Sequence, residues 1–71
     1  MDGLSPETAF LADLVQSAAA TTIFLTNGVK LEGFLAWFDN YTVALSRDGH
    51  TQMLYKREIA TVMRGQTKKL L

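Results

Sequence analysis

The chain predicts a mainly β fold: a small, strongly bent, five-stranded antiparallel open barrel preceded by a short N-terminal α-helix. Three observations carry this reading. Two tight-turn pairs, Asn27-Gly28 and Asp48-Gly49, supply the positive φ that two-residue hairpins require. Short runs that alternate apolar with polar residues flank both pairs. Gly33 interrupts the longest run, where only a sharp bend or a close backbone approach rewards a missing side chain.

The elements follow in order. Ser5-Pro6-Glu7 is a helix start: Ser accepts a backbone hydrogen bond as N-cap, Pro suits the first helical position, and Glu favours the positive end of the macrodipole. Phe10, Leu11, Leu14, Val15 and Ala18 then recur at helical spacing and form one apolar face, which has only the downstream sheet to cover. The β-branched and aromatic run from Thr21 to Thr26 marks the first strand. Val29 to Phe38 forms the second, bent at Gly33 like a barrel corner; Tyr41 to Leu45 the third; Thr51 to Tyr55 the fourth. Lys56, Arg57 and Glu58 make a short charged connection to a fifth strand, Ile59 to Met63, and fraying is expected from Arg64 onward. The expected layout is a flexible N-terminus over 1–5, one domain over 6–64 (helix about 6–18, strands about 21–64), and a short basic tail over 65–71.

Composition narrows the function classes. The 71 residues are 48% hydrophobic and carry zero formal net charge. So small a core usually needs a staple. With no Cys and only His50, neither disulfides nor a structural zinc can provide it, which leaves oligomerisation. No run approaches the roughly 20 apolar residues of a membrane span. The acidic start MDGLSPE lacks the order of a signal peptide, so a cytoplasmic location without membrane association is expected. Catalysis finds no support, since no nucleophile has a recognisable partner base, and no cofactor or metal is implied. Gly28 and Gly33 match the ends of a G-x-x-x-x-G pattern, but Phe34 and Leu35 follow in place of Lys and Ser/Thr, which excludes a P-loop. Neutral charge counts against bulk electrostatic capture of nucleic acid, so any such surface must be local.

Two segments, Phe24 to Tyr41 and Gln52 to Val62, resemble motifs of the Hfq family of bacterial Sm-like RNA-binding proteins. Phe24-Leu25-Thr26-Asn27-Gly28-Val29-Lys30-Leu31-Glu32-Gly33, continuing to Trp37-Phe38-Asp39-Asn40-Tyr41, resembles the first Sm motif. Gln52-Met53-Leu54-Tyr55-Lys56-Arg57 with Ile59-Ala60-Thr61-Val62 resembles the second. The resemblance covers about Pro6 to Met63 and implies an Sm-like (SH3-type) barrel assembled as a hexameric ring, the fourth strand of one subunit pairing with the fifth of the next. It further implies an RNA chaperone type of function in post-transcriptional regulation, with small RNA and mRNA as partners.

By the same resemblance, Asn40, Tyr41, Tyr55, Lys56 and Arg57 form a proximal, helix-side pocket for U-rich single strands. Tyr41 offers a stacking plane, Lys56 a donor to a uracil carbonyl, and Asn40 an edge contact, while Tyr55 supports the pocket or the subunit contact. Phe24, Gly28, Val29, Lys30, Leu31, Glu32, Gln52 and Thr61 correspond to a distal face for A-rich tracts, where Phe24 stacks and Gln52 reads an adenine edge. The chain departs from the family in several places. Glu7 replaces a common Gln, Arg57-Glu58 replaces His-Ala, Phe24 lacks a Tyr hydroxyl, and Glu32 stands where Gln is common. The helix stretch Val15-Gln16-Ser17-Ala18, aligned with an arginine patch on the rim, has no cation. An altered or weakened RNA affinity is therefore expected. The alternative is an Sm-fold structural or protein-interaction ring with little RNA binding.

Overall fold

A computed structural model describes residues 5–65. The expected loose Met1–Leu4 and the tail lysines Lys68 and Lys69 lie outside the described residues. Helix α1 spans Pro6–Ser17, and the strands are β1 Ala20–Leu25, β2 Lys30–Phe38, β3 Thr42–Arg47, β4 His50–Tyr55 and β5 Ile59–Arg64. A single 3-10 turn, Lys56–Glu58, joins β4 to β5. The five strands form one antiparallel sheet in the order β4-β3-β2-β1-β5, as the open-barrel reading expects. No described helix is long and apolar enough to cross a membrane.

Each end of α1 has a local cause. The Ser5 hydroxyl accepts the Thr8 N–H at 3.1 Å, the capping bond expected of a Ser before Pro. At the other end Ala18 turns left-handed (φ 51°), and the Ala18 and Ala19 N–H groups donate back to the Val15 and Leu14 carbonyls. This is a Schellman closure made without the usual glycine. Leu11 and Leu14 point into the core beside Ile23, Leu35, Val43 and Leu45. Phe10 and Ala18 stay exposed, so the buried stripe is narrower than the periodicity suggests.

The two hairpins differ. At the second, Asp48 (φ 53°) and Gly49 (φ 80°) both take positive φ between the paired Arg47 and His50, the expected two-residue turn. At the first, only Gly28 does (φ 92°). Its N–H donates to the Leu25 carbonyl at 2.9 Å, and the Leu25 N–H donates to the Val29 carbonyl at 2.8 Å. The loop is therefore three residues, Thr26 to Gly28, because Asn27 uses its side-chain oxygen to accept the Val29 N–H instead of adopting positive φ.

The bend comes from Gly33 and Ala36. A Cβ on Gly33 would sit 2.5 Å from the Ser46 carbonyl oxygen and 3.3 Å from the Arg47 Cβ, so β2 and β3 cross closer there than any side chain permits. Further along, the β2/β3 register slips between Leu35 and Trp37, a bulge that adds local twist. The fraying expected from Arg64 is not observed at that residue. Arg64 pairs with Thr21, its guanidinium meets the Asp13 carboxylate on α1, and the Gly65 N–H donates to the Ala20 carbonyl at 2.6 Å. The fully buried hydroxyls of Thr21 and Thr22 are satisfied by the Ala19 and Gly65 carbonyls.

Candidate nucleic-acid interface

The strand order brings two distant segments together. Asn40 and Tyr41 form the β2–β3 turn, and Tyr55, Lys56 and Arg57 leave β4 into the 3-10 turn. Thr42 pairs with Tyr55, and the Lys56 N–H donates to the Tyr41 carbonyl at 2.8 Å. These five side chains line one open concavity of about 240 Å³. Tyr41 is 75% exposed, so its ring is a plane with a free face.

The Tyr41 turn is held by Asp39, a residue of the first motif that the sequence reading gives no role in the pocket. One of its oxygens accepts the Tyr41 N–H at 2.8 Å, the Thr42 N–H at 2.7 Å and the Thr42 hydroxyl at 2.8 Å. An Asp three residues before a Thr at a strand break is a legible signal for such a turn. These donors, led by the Tyr41 N–H, favour the ionised form and hold the Asp39 carboxyl below its usual value, with a smaller contribution from the Lys56 charge. A lowered folded value means that the contribution is complete above the ordinary carboxylate value and is lost as pH falls through the lowered one. Acid titration followed by NMR should therefore show the Tyr41 and Thr42 amides moving with a midpoint below that of a free Asp. A midpoint at or above the free value would contradict the turn geometry.

Lys56 is more confined than its neighbours. Its ammonium lies 3.1 Å from a Glu7 carboxylate oxygen and 5.4 Å from the centroid of the Phe38 ring. The sequence marks Glu7 as part of the helix start and as a departure from the family pattern, and gives Phe38 no place in the pocket. Lys56 also borders a second, mostly apolar cavity of about 180 Å³ lined by Glu7, Phe10, Leu11, Val43, Ile59 and Val62. The Arg57 guanidinium stacks 5.2 Å over the Tyr55 ring.

The residues expected on the distal face are only partly gathered. Phe24 pairs with Lys30 on one side and Thr61 on the other, making a continuous row across β2, β1 and β5 on the face opposite the core. Glu32 follows on the same face and forms an ion pair with Lys30 at 3.8 Å. Leu31 faces inward beside Ile23, while Gly28 and Val29 occupy the hairpin. Gln52 stands apart. It pairs with Leu45 on edge strand β4, and β2 and β3 separate it from Phe24 within one chain.

Among the described residues, no group of His, Cys, Asp or Glu is placed to hold a metal ion.

Known proteins share this fold. A family model described as Hfq protein matches residues 7–69. The RNA-binding protein Hfq of Granulibacter bethesdensis is 55% identical over 56 residues, covering 79% of this chain and 60% of the relative. That of Azorhizobium caulinodans is 51% identical over 61 residues, covering 86% and 72%. The chain thus spans between about three fifths and three quarters of the length of these curated relatives. Among solved structures, the pleiotropic translational regulator Hfq superposes with a TM-score of 0.79 at 26% identity, covering 82% of this chain and 97% of that one. An Hfq protein from Anabaena sp. superposes with a TM-score of 0.78 at 25% identity, covering 84% and 97%. A helix-capped, five-stranded Sm-like sheet with this sequence match identifies the chain as a member of the Hfq family.

Proposed function

We propose that this protein is an RNA-binding ring of the Hfq type, taking U-rich single strands at the Tyr41 pocket and A-rich strands along the Phe24 row, and acting in post-transcriptional regulation. The observation that carries the reading is the convergence of Tyr41, Lys56, Arg57, Asn40 and Tyr55 on one open concavity. An exposed aromatic plane beside a cation and an amide is what capture of a flipped base requires. The relatives' name, RNA-binding protein, supports it.

Assembly has its own support. β4 and β5 are the sheet's two edges, and Met53, Tyr55 and Met63 on them are exposed. An unpaired edge with apolar side chains invites strand addition, and head-to-tail pairing of β4 with the next subunit's β5 closes a ring without leaving an edge. A hexamer repeats the pocket with its symmetry. About six phosphate contacts around such a ring would give a logarithmic salt slope near four despite zero net charge per chain.

One observation favours the second reading, a structural ring with little RNA binding: Glu7 already neutralises Lys56. Fluorescence anisotropy with short oligo-U and oligo-A at low salt separates the two. The RNA-binding reading expects saturable binding of both, with the U-tract the weaker. Absence of binding to either by an assembled ring overturns it in favour of the structural role.

A further inference from the structure

We infer that Glu7 sets the balance between the two proposed RNA faces by engaging the Lys56 ammonium and holding it away from bases at the Tyr41 pocket. The inference rests on the U-tract reading of that pocket. Glu7 and Lys56 are remote in sequence, yet their charged atoms stand 3.1 Å apart. The carboxylate is delivered by a fixed element, since Glu7 occupies the first turn of a helix capped by Ser5 and opened by Pro6. Lys56 is the confined member of the pair: its side chain is 19% exposed, against 62% for Glu7. The Phe38 ring lies against the ammonium on another side.

An ammonium has three N–H donors and no acceptor. With one donor directed at Glu7 and the cation held against Phe38, a uracil carbonyl arriving from the Tyr41 side meets a neutralised and partly occupied group. Binding there becomes an exchange of a carboxylate for a carbonyl. Both bonds have the same ionised donor, but only the carboxylate adds a full opposite charge, so the exchange is unfavourable until stacking on Tyr41 and phosphate contacts offset it. The Phe24–Lys30–Thr61 row belongs to the outer face of other strands, and Glu7 does not take part in it. Glu7 therefore lowers U-tract affinity selectively. It also flattens the salt dependence, because a lysine already paired with a carboxylate neutralises less phosphate charge and so displaces fewer of the counterions condensed on the RNA.

The test is Glu7→Gln in the assembled protein, titrated with labelled oligo-U and oligo-A at several salt concentrations. Gln preserves the length of the side chain and removes the charge. Release of Lys56 is expected to tighten oligo-U binding by roughly tenfold, to steepen its salt slope by up to ~0.7 per Lys56 engaged, and to leave oligo-A binding unchanged. The same substitution in a Lys56→Ala background closes a double-mutant cycle. Under the inference Glu7→Gln has almost no effect there. An equal gain in both backgrounds would overturn it, showing long-range repulsion of RNA rather than an effect exerted through Lys56. Oligo-U binding that is measurable but identical for the parent and the Glu7→Gln variant would overturn the inference while leaving the U-tract reading intact. Failure of both proteins to bind oligo-U would overturn both.

Discussion

Gly33→Ala is expected to destabilise the fold by at least about 2 kcal/mol, and Gly33→Val by more. The new Cβ would lie 2.5 Å from the Ser46 carbonyl oxygen, and the atom it meets belongs to backbone, not to the far end of a flexible side chain. Relief requires β2 and β3 to separate where the sheet bends, which opens the core at Leu35 and Leu45 immediately alongside. A domain of this size has a total stability of about 4–10 kcal/mol at ordinary per-residue values, so the loss is a large share. Thermal denaturation of parent and variant at equal protein concentration should show a fall of roughly 8–16 °C. A melting temperature within a degree or two of the parent would show that the sheet can flatten at little cost, and the account of its curvature would fail.

The second large effect concerns binding. On the proposed reading, Tyr41→Ala removes a base-stacking plane worth about 1–3 kcal/mol, or roughly 5- to 150-fold in U-tract affinity at each engaged site. Tyr41→Phe keeps the plane and should retain most of that affinity. Lys56→Ala removes the cation at the centre of the same pocket and should weaken oligo-U, with little change in salt slope while Glu7 is present and a clear reduction in the Glu7→Gln background. Oligo-A binding should be unaffected by either, because Phe24, Lys30 and Thr61 form their row on other strands. Parallel losses for both oligonucleotides would point to damage to the assembly. An unchanged oligo-U affinity would remove Tyr41 and Lys56 from the binding surface altogether.

Much of the architecture is legible in the sequence because it is encoded locally. Alternation over short runs marks the strands, Ser5-Pro6 marks the start of the helix, and Asp48-Gly49 marks a turn whose φ values are those the pair favours. Gly33 is legible for the opposite reason: it breaks a local preference, and such breaks mark sites of tertiary constraint. The three-residue first hairpin is harder to read, since Asn27 can either take positive φ or use its side chain as an acceptor, and the sequence pair is the same in both cases. The bulge at Ala36 leaves no trace in composition.

The pocket divides in the same way. Its five lining residues follow from the two motifs, but the contacts that control them do not, even where, as with Phe38 and Asp39, the residue itself belongs to the first motif. Asp39 works through two backbone donors that any residue would supply and through the Thr42 hydroxyl, so only the Asp-to-Thr spacing carries the signal. The contacts of Lys56 with Glu7 and Phe38, like that of Arg64 with Asp13, exist because the helix and the sheet's bend bring remote segments together. No short window along the chain contains both partners.

The 3-10 turn Lys56–Glu58 joins strands that lie at opposite edges of the sheet. Four residue steps separate Tyr55 from Ile59, a reach of at most about 14 Å, so the sheet is curled like a clasp whose hinge pin is this turn. Its two ends are fastened to the neighbouring loops, by the Lys56 N–H to Tyr41 and by the Thr26 N–H to the Glu58 carbonyl. The segment that carries the pocket's cations is thus also the mechanical link between the two strands available to neighbouring subunits. In a ring built on those strands, tension at either joint would be felt at Lys56, and a ligand gripping Lys56 would in turn stiffen the joints.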